Sequence, residues 1–224
     1  DFINRKWCFS TDQTKESLIE FIKENKAVIC KPYNLSWGYG VFILKEEDIN
    51  DEVIDKLLNN PYMIEEVIKQ HPYIKSIHPQ SVNTLRIFTI IDTDGVPHIA
   101  MPIFRAGMKE SVTDNTSSGG LFFIVDKDTG VVESSGRTER CKTRYVYHPD
   151  TNVLVTGMEI PYYKEICEMV KKAALVTPTL RYVGWDVAIG ENGPILIEGN
   201  IEYAATNQGL DGKYPEAKQY LKRH

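Results

Sequence analysis

Apolar positions in the first part of the chain change period several times, and each change predicts an element. Leu18, Ile19, Phe21 and Ile22 fall on one face of a helix over residues 15–25, with Thr11 or Thr14 placed to cap it. The run Ala27-Val28-Ile29-Cys30-Lys31-Pro32 predicts a buried strand stopped by proline. A turn rich in glycine and aromatics follows from Tyr33 to Gly40, and Val41-Phe42-Ile43-Leu44 predicts the returning strand. Asp48 is placed to cap a helix through Leu58, because Ile49, Val53, Ile54, Leu57 and Leu58 share the helical period. Tyr62–Ile68 predicts another strand.

From Thr84 onward the pattern becomes long strands joined by hairpin signals. Leu85–Ile91 turns at Asp94-Gly95 into His98–Phe104, and Leu121–Val125 turns at Asp128-Thr129-Gly130 into Val131–Glu133. Tyr162, Ile166, Met169, Val170 and Ala173 have helical spacing over residues 162–175, and Tyr182–Ile189 with Pro194–Ile197 predicts a last hairpin. The sum is α+β: a small lobe over residues 1–75, with an N-terminal helix, and a larger, mainly antiparallel lobe over 76–224. A cleft between two such lobes is a usual place for a small-molecule site.

At 224 residues the chain can bury a substantial core, and 42% hydrophobic with 25% charged residues is ordinary globular usage. The net charge of −5 argues against a broad phosphate-binding surface, and the aromatics lack interleaved basic residues, so nucleic acid is not an expected partner. No stretch approaches the roughly 18 apolar residues that span a bilayer. Cys8, Cys30, Cys141 and Cys167 have neither disulfide-scaffold nor zinc-ligand spacing, which predicts a reducing, cytoplasmic location.

Candidate chemistry concentrates in the last hairpin. If Glu191-Asn192-Gly193 is a three-residue loop, Gly190 faces Pro194 and Asp186 lies directly across from Glu198, with Asn200 on the same face. Trp185, Val187, Ile189, Ile195 and Ile197 then take the core face. Two carboxylates that close repel unless a cation lies between them, and hard oxygen donors suit Mg²⁺. A solvated hairpin face with incidental acids fits the spacing equally well.

Lys31 ends a hydrophobic strand beside a loop holding Gly38 and Gly40, an arrangement that suits a polyphosphate or an ordinary hairpin packed by Trp37 and Tyr39. The strand residues Glu65, Glu66 and Val67 lie where the chain leaves the first lobe and could offer backbone groups to an adenine edge, or simply face solvent. Arg86 and Arg105, on strands, suit bidentate recognition of phosphate or carboxylate, or a salt bridge across the sheet. His148 sits in the turn sequence Tyr147-His148-Pro149-Asp150, and no nucleophile–base pairing has a local context.

Together these stretches resemble the ATP-grasp superfamily. They share its order of strand lysine, small-residue loop, Glu-Glu hinge and terminal Asp…Glu-x-Asn. The closer resemblance is to the sugar-transfer-associated ATP-grasp group, carried over about residues 26–210 by Ser81-Val82-Asn83-Thr84-Leu85-Arg86, Phe104-Arg105-Ala106-Gly107, Asp114-Asn115 with Ser118-Gly119-Gly120, Val125-Asp126 with Thr129-Gly130, Gly184-Trp185-Asp186-Val187-Ala188 and Glu198-Gly199-Asn200. The resemblance implies an ATP-grasp fold holding ATP between its lobes. Asp186, Glu198 and Asn200 would bind Mg²⁺, with Mn²⁺ an acceptable substitute, and Lys31 the α/β phosphates. Ser36, Trp37, Gly38, Tyr39 and Gly40 would form a flap, and Glu65, Glu66 and Val67 would contact adenine. Arg86 and Arg105 would steady the γ-phosphate or an acyl phosphate, and Asn115, Gly119 and Gly120 would line the acceptor side.

The activity implied is amide formation between small carboxylate and amine substrates, in modification of a cell-surface polysaccharide or sugar precursor. The same parts would serve a phosphotransferase or a non-catalytic nucleotide-binding module. The family pattern usually includes an N-terminal substrate domain and an earlier lysine, and too few residues precede Lys31 for both. Either an N-terminal part has been removed or this is a minimal or impaired member.

Overall fold

The structure is a computed structural model, and it describes residues 2, 5–35, 39–111, 113–114, 119–138 and 143–201. They fall into two compact units, one within Asn4–Lys69 and the other from Gln70 onward together with Phe2.

The first unit is a four-stranded antiparallel sheet, order β1-β4-β2-β3, built from β1 (Trp7–Phe9), β2 (Ala27–Pro32), β3 (Phe42–Lys45) and β4 (Tyr62–Glu66). Alternation along β2 sends Val28 and Cys30 to one face, where with Leu44 and Ile64 they pack on Leu18 and Ile22 of α1 (Lys15–Asn25) and on Ile54 and Leu57 of α2 (Asp51–Leu58). Thr14 caps α1 in a reciprocal box with Ser17. For α2 the cap is Asn50, whose side chain accepts from Val53 N–H at 3.0 Å. Asp48, the cap expected from the sequence, instead lies in a 3-10 turn over Glu46–Asp48, which moves the start of the helix past it. The opposite face of the sheet carries Trp7, Ile29, Lys31, Met63 and Glu65, in register with one another.

The second unit is a five-stranded antiparallel sheet, order β7-β6-β5-β8-β9, from β5 (Thr84–Ile91), β6 (Pro97–Ala106), β7 (Leu121–Ile124), β8 (Tyr182–Gly190) and β9 (Gly193–Asn200). Its core face presents Leu85, Ile87, Phe104 and Val187 to Ile74 and Ile77 of α3 (Pro72–Ile77) and to Ile166 and Val170 of α4 (Tyr163–Ala174). α3 gives no periodic signal because it is only 6 residues long; Pro72 starts it. The crossing into this unit comes at Gln70, which bridges to Gly190, and at His71, whose N–H donates to Ile189 O at 2.8 Å, so α3 belongs to the second core. β5 is buried at every position, which places Arg86 inside the sheet.

The last hairpin has a tighter end than expected. Gly190 pairs with Gly193, and Ile189 with Pro194, so the loop is one residue shorter than the spacing suggested. Gly193 carries φ +135°, open to glycine at little cost. A register shift between Asp186 and Val187 leaves Ile197 as an extra residue on β9 and restores Asp186 opposite Glu198. The core-facing residue of β9 is consequently Leu196, opposite Val187, rather than Ile195 and Ile197.

Candidate functional site

The face of the second sheet opposite the α4 core gathers its charged groups by register. Thr84 lies across from Arg105, Arg86 across from Asp186, Asp186 across from Glu198, and Gly184 across from Asn200. Directly opposed residues of an antiparallel pair share a face, so Arg105, Thr84, Arg86, Asp186, Glu198 and Asn200 form one row.

The inner part of the row, and Asp114 beside it, are buried: Thr84 is 3% exposed, Arg86 9%, Arg105 5%, Asp114 7% and Asp186 5%. Arg86 Nε donates to Asp186 Oδ1, and Arg86 Nη2 to Oδ2 at 2.7 Å. Arg105 Nη2 reaches the same Oδ2 at 3.0 Å. Arg105 also donates to Thr84 Oγ1 through Nη2 at 2.8 Å and lies 3.4 Å from Asp114 through Nε. Asp114 in turn accepts from the Thr84 hydroxyl and, at 3.1 Å, from Thr84 N–H. Two guanidinium and two carboxylate groups thus cancel one another inside the sheet. The alternative of a cross-sheet salt bridge, open in the sequence, is how both arginines sit.

Burial works to raise the Asp186 carboxyl, but the charges and hydrogen bonds of Arg105 and Arg86 outweigh it and hold it below the usual carboxylate range. Asp114 goes the other way: burial, aided by Asp186, raises it despite Arg105, the Thr84 hydrogen bond and Arg86. Glu198 is exposed and accepts from Asn200 Nδ2 at 3.1 Å.

A carboxylate offers about four lone-pair directions, and the arginines use three of those of Asp186. One direction on Oδ1, the exposed Glu198 carboxylate and the Asn200 amide oxygen remain as donors. Such a set fits a hard divalent ion that completes its shell with water and phosphate oxygens. Among the described residues no group of three or more His, Cys, Asp or Glu is placed to hold a metal ion. A metal would therefore depend on the amide and on exogenous oxygens as well as on two acids.

In the first unit, Lys31 Nζ donates to Glu65 Oε2 at 2.5 Å, and Arg5 Nη2 to Glu65 Oε1 at 2.6 Å. Burial raises the Glu65 carboxyl, but the Arg5 hydrogen bond and the Lys31 charge outweigh it and leave it below its ordinary value. Glu66 N–H donates to Lys6 O at 2.9 Å, so that group is already engaged, and Val67 follows the end of β4. Tyr39 is 72% exposed and Gly40 carries φ +72°. Ser36, Trp37, Gly38 and Asn115 lie outside the described residues. Gly119 and the buried Gly120 immediately precede β7.

Two sequence motifs prove to be braces. Asn83, fully buried, accepts from Gly107 N–H at 3.3 Å, donates to Ile74 O and His78 O, and its own N–H donates to Gln70 Oε1 at 2.7 Å. Gly107 has no room for a side chain, since a Cβ there would meet Ser81 Oγ and the His78 ring. His148, also fully buried, holds Gly107 O through Nε2 at 2.8 Å, tying its turn to a residue 41 positions away. Arg5, Asp114 and Thr84 were missed as site members. Thr84 stands two residues before Arg86 on β5, a period-2 clue, whereas Arg5 and Asp114 reach their partners over 60 and 30 residues.

The lowered carboxyls fix a sign for pH dependence. Glu65 and Asp186 contribute stability that is complete above their unfolded values, about 4, and is lost as pH falls through their lowered folded ones. Asp114, being raised, opposes this by favouring the folded state more when protonated. Urea unfolding between pH 6 and about pH 2.5 is expected to show a net fall in stability on the acid side. Glu65→Gln should flatten that fall; an unchanged slope in the variant would contradict the Glu65 assignment.

Residues 7–213 match the family model described as sugar-transfer associated ATP-grasp. No curated protein matches the chain in sequence. Among solved structures, it resembles the ATP-grasp ligase PsnB complexed with a phosphomimetic variant of a minimal precursor, Mg and ADP, with TM-score 0.55 and 14% identity over 92% of this chain and 47% of that one. It also resembles the ADP complex of purK, N5-carboxyaminoimidazole ribonucleotide synthetase, with TM-score 0.56 and 9% identity over 94% and 44%. D-alanine–D-alanine ligase from Bacillus anthracis gives TM-score 0.51 and 17% identity over 97% and 58%. The chain spans about half the length of these structures, and at such identities the likeness is one of fold.

Proposed function

The chain belongs to the sugar-transfer-associated ATP-grasp family, and from that premise we propose that it is an ATP- and Mg²⁺-dependent ligase joining a carboxylate to an amine. The observation that carries this reading is the pairing of Asp186 with Glu198 across β8 and β9, beside Asn200 and backed by two buried arginines. Asp186, Glu198 and Asn200 would hold the metal, which would supply charge neutralisation for phosphate oxygens. Lys31 would bind the α/β phosphates, with Tyr39 and Gly40 in the flap beside it. The backbone of Glu65–Val67 would meet adenine, less the Glu66 N–H that Lys6 already takes. Arg86 and Arg105 would act first by keeping Asp186 ionised, and would reach the transferred phosphoryl only through guanidinium N–H groups that Asp186 and Thr84 do not occupy. Gly119 and Gly120 would border the acceptor.

In the reaction proposed, a substrate carboxylate oxygen attacks the γ-phosphorus and ADP leaves. The amine then attacks the acyl carbon of the resulting acyl phosphate, inorganic phosphate departs, and the ammonium proton passes to solvent. The protein's share is orientation and charge compensation. The family's association with sugar transfer supports a cell-surface polysaccharide or its cytoplasmic precursor as the setting. No helix among the described residues is long and apolar enough to cross a membrane.

Incubation with MgATP and pooled carboxylates and amines tests this directly. A ligase releases ADP only when both pools are present. A stable phosphorylated product from one pool would mean phosphotransfer, and saturable nucleotide binding without turnover would mean a binding module.

A further inference from the structure

The two buried arginines use their guanidinium groups differently. Arg86 directs Nε and Nη2 to the two oxygens of Asp186. Arg105 directs the same edge mainly to a hydroxyl: Nε donates to Thr84 Oγ1 at 3.1 Å and Nη2 to that oxygen at 2.8 Å, while Nη2 also reaches Asp186 Oδ2 at 3.0 Å. A guanidinium only donates, so a hydroxyl facing its edge must accept with both lone pairs, and its single proton is left for another partner. That partner is Asp114, whose Oδ2 accepts from Thr84 Oγ1. The relay Asp114, Thr84, Arg105 is therefore fixed in direction as well as in place. Thr84 lies between Arg105 on β6 and Ala188 on β8, and its N–H adds a second bond to Asp114 Oδ2 at 3.1 Å. These contacts take up the Nε and Nη2 edge of Arg105, and Nη1 is the end they leave for a further acceptor.

We propose that Asp114 and Thr84 are positioning residues for Arg105: the carboxylate orients the hydroxyl, and the hydroxyl locks one edge of the guanidinium so that Nη1 is presented to the γ-phosphoryl. This rests on the ATP-dependent reading above and divides the labour within it. Arg86 serves the metal-binding carboxylate, and Arg105 serves the group transferred. Asp114 comes from the segment between β6 and β7 that also carries Gly119 and Gly120, so the relay ties the proposed acceptor side to the phosphoryl side.

The test titrates the full chain, in saturating magnesium, with ADP and with the non-hydrolysable triphosphate AMPPNP, and reads the ratio of the two Kd values. Thr84→Val keeps the shape and the backbone N–H but removes the hydroxyl. It should cut the advantage of AMPPNP over ADP about tenfold, as for one misplaced charged hydrogen bond. ADP affinity should stay within about threefold, a shift well below one such bond, because Arg86 still holds Asp186. Asp114→Ala should lower the ratio in the same direction. The double variant should lose no more than the larger single loss, since both residues act through one guanidinium. Thr84→Ser, which restores the hydroxyl, should return the ratio to within about twofold of wild type. A purely structural role would weaken both nucleotides alike and add in the double variant, and would overturn the proposal. So would a wild-type ratio in Thr84→Val, or a wild-type chain that binds both nucleotides equally, either of which leaves the ATP-dependent reading standing. Failure of the wild-type chain to bind either nucleotide would overturn both. Should Thr84→Val not fold, Thr84→Ala and Asp114→Ala carry the same expectation and the same power to overturn it.

Discussion

Replacing Asp186 with asparagine is expected to lower the unfolding free energy by about 3–5 kcal/mol, seen as a reduced urea midpoint at unchanged slope. The carboxylate is 5% exposed and receives both guanidinium groups. An amide of the same shape removes the charge and puts an NH₂ donor against donors. Arg86 then loses the carboxylate it holds at 2.7 Å, and Arg105 keeps Asp114 at 3.4 Å and the Thr84 hydroxyl at 2.8 Å. The large effect comes from stranding buried cations, not from any net worth of the ion pairs, because taking these charges out of water cost much of what their attraction returned. Replacing Arg86 and Asp186 together by apolar residues of similar volume should therefore cost less than Asp186→Asn alone. A loss below about 1 kcal/mol for Asp186→Asn would show that water reaches the cluster and compensates it.

The same residues show what the chain's pattern could and could not convey. Local rules carried every named strand but the short β1, and three of the four helices, since β2 is a single apolar run ended by Pro32 and α4 has a strong 3.6-residue stripe; the expected strand Val131–Glu133 pairs only through isolated bridges. They carried the Asp186–Glu198 pair too, although the hairpin count behind it held through two offsetting departures. Gly190 closes on Gly193, one residue early, and the extra residue Ile197 then restores the register. Counting from a loop cannot detect a bulge, which here leaves Leu196 packed against the core opposite Val187. The arginines were legible as strand cations but not by partner. Choosing Asp186 over a phosphate depends on β5 lying between β6 and β8, a fact of sheet order. Asp114 and Arg5 were beyond reach for the same reason, as their partners come from distant strands and no short-range period links them.

The second large effect is functional. Glu198→Gln should leave stability within about 0.5 kcal/mol of wild type, because Glu198 is exposed and glutamine can still accept from Asn200 Nδ2. It removes, however, the exposed carboxylate of the row, whereas Asp186 is taken up by both arginines, and hence the principal anionic ligand available to a metal. Outer-shell partners of metal sites typically cost 10–100-fold when changed, so loss of a direct ligand should weaken magnesium-dependent nucleotide binding by at least about a hundredfold. The contrast between the two substitutions matters: Asp186→Asn is expected to damage fold and binding together, Glu198→Gln binding alone. Full magnesium-dependent binding by a stable Glu198→Gln chain would move the metal away from the β8–β9 hairpin.

One calorimetric comparison bears on the whole account: ADP titrated into the wild-type chain in saturating magnesium and again in EDTA. Saturable binding that EDTA removes is the expected result. Equal affinity with and without the ion, or no saturation in magnesium, would contradict the claim that Asp186, Glu198 and Asn200 hold a metal-borne nucleotide.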